Sequence, residues 1–155
     1  MTGRVPRAAA VVTDGTRVLL IKRYLRRDSP AGCAMCEGTG VTGPECPGHH
    51  YAVLPGGHVE PGESPAETAL RELEEETGLQ ATIERLVHEG LHNGRPATYF
   101  LMSEVRGEPV LSGPEAEENA PGNSFELLWA TADRFEALNL YPTDIRAVVA
   151  ELLGR

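Results

Sequence analysis

Residues 57–79, GHVEPGESPAETALRELEEETGL, constrain the fold more tightly than any other part of the chain. Ser64, Pro65 and Glu67 stand where a helix begins. A serine hydroxyl can accept from the third helical N–H, proline suits the first helical position, and the glutamate can return to the serine N–H. With Gly78 as a C-terminal stop, the pattern predicts a helix over 65–77. Ala66, Ala69, Leu70 and Leu73 share one face, which leaves Glu72, Glu75 and Glu76, spaced i, i+3 and i+4, for an acidic face. Three glutamates alone are ordinary solvated surface. Here they follow a Gly56-Gly57 pair that permits close backbone approach, and Arg71 can clamp a carboxylate through two hydrogen bonds. Such oxygen donors suit Mg2+ or Mn2+, which keep some water and share their coordination with substrate phosphates.

The flanks read as alternating strands and turns. AAAVV at 8–12 and RVLLIKR at 17–23 flank Asp14-Gly15, a dipeptide suited to a tight turn, and are expected to pair as a hairpin. YAVLPGG at 51–57 reads as a strand running into a glycine turn. Beyond the helix, 81–92 and 96–107 read as strands, and a Gly, Pro and Glu-rich loop at 112–123 leads to a further strand, FELLWAT. Thr131 or Asp133 can cap a short helix through Leu138. Ile145, Val148, Val149 and Leu152 repeat at helical spacing, so a helix closes the chain.

Gly57, Glu63, Arg71-Glu72, Leu73, Glu75-Glu76, Gly78 and Leu79 occupy every fixed position of the Nudix signature. The chain resembles the Nudix hydrolases over most of its length, with residues 24–50 as the departure. The resemblance implies an α/β fold, an α/β/α sandwich with a mixed β-sheet, formed as a single domain over 1–155. It also implies cleavage of a nucleoside diphosphate linked to another moiety, such as a nucleoside triphosphate or ADP-ribose, by metal-activated water attack on phosphorus. Carried over by position, Glu72, Glu75, Glu76 and the backbone carbonyl of Gly56 would hold Mg2+ or Mn2+, and Glu63 would pair with Arg71. Arg71, Glu72, Glu75 and Glu115 are the catalytic candidates, because the base in this family is either a helix glutamate or one on a distant loop. Glu117 and Glu118 lie close behind Glu115. Gly56, Gly57 and Arg23 are the candidate substrate contacts. The alternative is a non-catalytic nucleotide-sensing or zinc-mediated interaction module on the same fold.

Residues 24–50 are too long for an ordinary connection and poor in apolar side chains. Cys33 and Cys36 form C-x2-C, and nine residues later Cys46 and His49 form C-x2-H. Thiolates and imidazole at this spacing suit a structural, tetrahedral Zn2+ that would order the insert. His50 is the alternative fourth ligand. Unpaired thiols or a redox C-x2-C pair are the other readings. The Cys-x-x-Cys-x-Gly-x-Gly run resembles half of a DnaJ-type zinc motif, over too short a stretch to imply that activity.

Charge narrows the partners. The formal net charge is -9, yet seven of the fourteen basic residues fall within the first 27 positions: Arg4, Arg7, Arg17, Lys22, Arg23, Arg26 and Arg27. An acidic chain is not expected to bind nucleic acid stably, so the basic stretch is expected to guide a small anionic nucleotide. No apolar run approaches membrane-spanning length and no secretion signal is visible, which gives a cytoplasmic expectation. A homodimer is compatible with the sequence. Tyr24, Tyr99, Phe100, Phe125 and Trp129 can stack a base or fill the core.

Overall fold

The computed structural model describes residues 5–113 and 119–153. Strand β1, Arg7–Val11, sits at the centre because its residues are apolar on both faces. It pairs parallel with β7 (Arg95–Arg106) and antiparallel with β5 (Gly56–His58), and β7 pairs antiparallel with β6 (Gln80–His92). The sheet is therefore mixed, in the order β5-β1-β7-β6. A second, antiparallel sheet is built around β3 (Arg17–Leu25), which pairs with β2 (Thr13–Asp14), β4 (His49–Val53) and β8 (Asn123–Thr131).

The expected hairpin between 8–12 and 17–23 is corrected to a two-residue ladder, Thr13 with Val18 and Asp14 with Arg17. A strand apolar at every position buries more area between β5 and β7 than in an outer hairpin, and it leaves β3 to the other sheet. The glycine pair is likewise a strand in register with β1 rather than only a turn, with Ala9 opposite Gly56 and Ala8 opposite Gly57.

Helices cover opposite faces. On one side Ala69 and Leu73 of α2 (Pro65–Thr77) pack on Ala8, Ala10, Val12 and Leu19. On the other, Ile145, Val149 and Leu153 of α4 (Ile145–Leu153) pack on Ala9, Val11, Val18 and Leu20. Neighbours on β1 thus point to different cores, and the α/β/α sandwich follows. A short α3, Phe135–Leu138, follows a 3-10 turn, Ala132–Arg134. The insert carries its own small core of Leu25, Met35, Tyr51 and the three cysteines around α1, Ala34–Thr39. Among the described residues, no helix is long and apolar enough to cross a membrane.

Candidate active site

Helix α2 begins with the capping box that its sequence predicts: Glu67 N–H donates to Ser64 Oγ at 3.1 Å, and Ser64 N–H donates to Glu67 Oε1 at 2.8 Å. Gly78, at φ 76°, ends it in the left-handed conformation. This fixes the helix relative to strand β5, which lies beside its glutamates. Arg71 ties the two together. Its guanidinium donates to both oxygens of Glu63 at 2.6 and 3.0 Å, to the His58 carbonyl at 3.2 Å and to Glu72 at 3.1 Å. The Arg71 hydrogen bonds hold the Glu63 carboxyl down to about 2, with help from the Thr68 hydroxyl.

The three glutamates are not equivalent. Glu76 is 3% exposed and accepts from Gly56 N–H at 3.0 Å, so it lies on the buried face with Leu73 rather than on a solvated one. The Glu72 side chain is 15% exposed and the Glu75 side chain 46%. Burial raises the Glu72 carboxyl, while Arg71 and a hydrogen bond with Glu76 act to lower it. Two carboxyl groups in contact in a half-buried niche disfavour joint ionisation unless a cation joins them. A Cβ at Gly57 would fall 2.3 Å from Glu72 Oε2, so a side chain there would push that carboxylate aside. Arg71 holds Glu75 at 3.3 Å. Ser112 binds the Glu75 and Glu76 carbonyls, which ties this part of the chain to the last turn of α2. Glu115, Glu117 and Glu118 lie outside the described residues.

Beside Gly56 and Glu76 is a cavity of about 100 Å³ bordered by Arg7, Arg23 and Phe125, and a cleft of about 620 Å³ opens from the same side chains. The Arg23 guanidinium stacks 3.9 Å above Phe125 and donates to the Ser124 carbonyl and to Asn123. In the sequence Arg7 stands out only as part of a basic stretch; in the fold it lines both spaces, and burial lowers its pKa. His92 also borders the cleft, and burial pushes its imidazole down to about 3, assisted by Arg7, His58 and Arg95. The turn that brings Asn93 and Arg95 there was legible as Asn93-Gly94, a dipeptide that favours two-residue hairpins, here at φ 51° and 80°.

Cys33, Cys36, Cys46 and His49 offer ligand atoms that all lie within 4.8 Å of one another. Cys36 Sγ is 3.6 Å from Cys46 Sγ and 3.2 Å from His49 Nε2, close to the edges of a tetrahedron with metal bonds of roughly 2.0–2.3 Å. All three cysteines are free and buried. His50 instead packs its ring on Tyr24 at 4.5 Å, which leaves His49 as the member of the set. Backbone hydrogen bonds from Arg27 and Gly48 bring the Cys46 thiol down to about 7, and burial raises Cys36 to about 12.

Residues 3–149 match the sequence profile of the NUDIX domain. The chain belongs to the Nudix family. Rat asymmetrical bis(5'-nucleosyl)-tetraphosphatase is 57% identical over 35 residues, which cover 23% of this chain and 24% of that one. The 8-oxo-dGTP diphosphatase of Escherichia coli K12 is 32% identical over 90 residues, covering 56% of this Nudix chain and 66% of its relative. The crystal structure of a MutT NUDIX hydrolase from Burkholderia pseudomallei superposes with a TM-score of 0.56 at 26% identity, covering 92% of this chain and 94% of that one.

Proposed function

We propose that this Nudix protein is a Mg2+- or Mn2+-dependent pyrophosphohydrolase that cleaves a nucleoside diphosphate linked to a further group. The observation that carries the reading is the Glu72 and Glu76 carboxyl pair, set against Gly56 and Gly57 and braced by Arg71 and Glu63. These oxygens, with Glu75 and the Gly56 carbonyl, form a donor set suited to a hard divalent cation. Bound there, such a cation neutralises charge on phosphate oxygens and acidifies a coordinated water. Arg71 positions Glu72, and Arg7 and Arg23 border the space where phosphate oxygens would lie. Glu75, the most exposed of the three, is the helix candidate for accepting the water's proton, and Glu115 is the loop candidate.

Gly56, Gly57 and Arg23 are read as substrate contacts, and residues 1–155 as one domain interrupted by the insert. The insert is read as a zinc knuckle in which Cys33, Cys36, Cys46 and His49 hold one structural Zn2+. Relatives named as an 8-oxo-dGTP diphosphatase and as an asymmetrical bis(5'-nucleosyl)-tetraphosphatase support a small nucleotide as substrate. The test is kcat/KM across nucleoside triphosphates, oxidised dGTP, ADP-ribose and dinucleoside polyphosphates, with and without Mg2+. At least one is expected to be cleaved at its pyrophosphate only when the cation is present. Cation-independent turnover, or none, would reject the proposal.

A further inference from the structure

The cleft that opens from the glutamate site is basic in a chain whose formal net charge is -9. Its inner end is shared with the cavity at Gly56 and Glu76, and Arg7 and Arg23 border both. Its outer end is made by pieces of chain that lie outside the 57–79 signature. The insert supplies Arg27, Met35 and Gly38, the β6–β7 turn supplies Asn93, and Arg95 opens β7.

These two pieces are locked together. The Tyr141 hydroxyl donates to Asn93 Oδ1 at 2.5 Å, and the Asn93 amide reaches Met35 Sδ at 3.9 Å. A Cβ on Gly38 would fall 1.9 Å from Asn93 Oδ1, so glycine is what allows helix α1 to approach the turn this closely. The outer wall is therefore preset, which lowers the ordering cost of binding a ligand against it.

Arg27 is exposed and Arg95 half-buried, and among the described side chains of the outer end the single acid is Glu37. Guanidinium groups match phosphate oxygens with paired, charge-assisted hydrogen bonds, which are stronger than those they form with the neutral acceptors of sugars and bases. The scissile pyrophosphate is already served at the inner end by the carboxyl cluster, Arg7 and Arg23. We propose that the outer end is a subsite for a second phosphate, carried on the moiety attached to the nucleoside diphosphate, and that Arg27 and Arg95 are specificity-determining residues for it. The inference rests on the pyrophosphohydrolase reading and adds the substrate class: a nucleoside diphosphate whose attached group bears its own phosphate.

ADP-ribose and ADP-ribose 1″-phosphate share base, sugars and pyrophosphate and differ by that one group. Calorimetric titration of zinc-replete, turnover-suppressed Glu75→Gln protein in Mg2+ is expected to give about tenfold tighter binding of the phosphorylated ligand. Adding Arg27→Ala and Arg95→Ala should collapse the difference to within about twofold, weakening the phosphorylated ligand far more than ADP-ribose itself. Arg27→Glu alone, at an exposed position, should abolish the preference. Arg17→Ala, which removes an exposed charge outside the cleft, should keep it. Equal wild-type-like affinities, no measurable binding of either ligand, or a preference that survives loss of both arginines would overturn the subsite. Mg2+-dependent cleavage of other nucleotides under those results would leave the activity standing, whereas its absence would remove the activity itself.

Discussion

At the residue scale, two adjacent glycines have opposite reasons for lacking a side chain. A Cβ on Gly57 would meet the carboxylate of Glu72, the far end of a flexible side chain that can swing away. Gly57→Ala is therefore expected to leave thermal unfolding close to wild type while lowering kcat/KM by about 100-fold, because a displacement of about 1 Å at a reacting group costs that much. A Cβ on Gly56 would instead fall 2.4 Å from the Ala8 carbonyl and 2.8 Å from Ala9 Cα, which are backbone. Gly56→Ala should destabilise the fold by about 1–3 kcal/mol, read by denaturant unfolding. Equal effects of the two substitutions on stability would contradict this division. The sequence spacing named these glycines, Glu63 and Arg71, because fixed offsets on a capped helix leave little freedom. It could not rank the glutamates. That Glu76 shares the buried face with Leu73 depends on where β5 delivers the Gly56 N–H, a contact across 20 residues.

At the scale of elements, the helix was legible from end to end because its caps are local chemistry between Ser64 and Gly78. Strand pairing was not. Whether 8–12 joins 17–23 or 95–106 depends on burial of both faces, and an apolar run with a turn after it fits either. The insert was legible as a ligand set but not as a wall of the cleft, since its contact with Asn93 links residues 58 positions apart. Its geometry makes a direct claim on metal content. Elemental analysis after removal of Mg2+ should find about one zinc per chain, and Cys46→Ser should abolish it and lower Tm. Zinc-free protein with three freely titrating thiols would reject the knuckle.

For the whole molecule, the uneven charge resolves into two neighbouring fields: carboxyl groups of α2 on one side of the site and arginines from β1, β3, the insert and the start of β7 on the other. This arrangement has a consequence for acid stability. His92 stays neutral in the folded protein down to about 3, against an ordinary value of 6.5, so between these values the unfolded chain binds more protons than the folded one. Stability should fall as pH drops through that window. Glu63, depressed to about 2 from 4.5, adds a loss in the same direction at lower pH. His92→Gln should flatten the decline between pH 6.5 and 4.5, measured by thermal unfolding across pH, and an unchanged slope would contradict the burial account.

The proposed activity is metal-dependent cleavage of a pyrophosphate by the α2 carboxyl cluster. It is tested most directly by Mg2+-dependent turnover of the best nucleotide substrate by wild-type and Glu76→Gln protein, with products identified. The substituted amide keeps an oxygen for the Gly56 N–H, so the fold should persist. The account predicts cleavage at the pyrophosphate by the wild type and a loss of at least about 100-fold in kcat for the variant. A folded Glu76→Gln protein with near-wild-type turnover would contradict it.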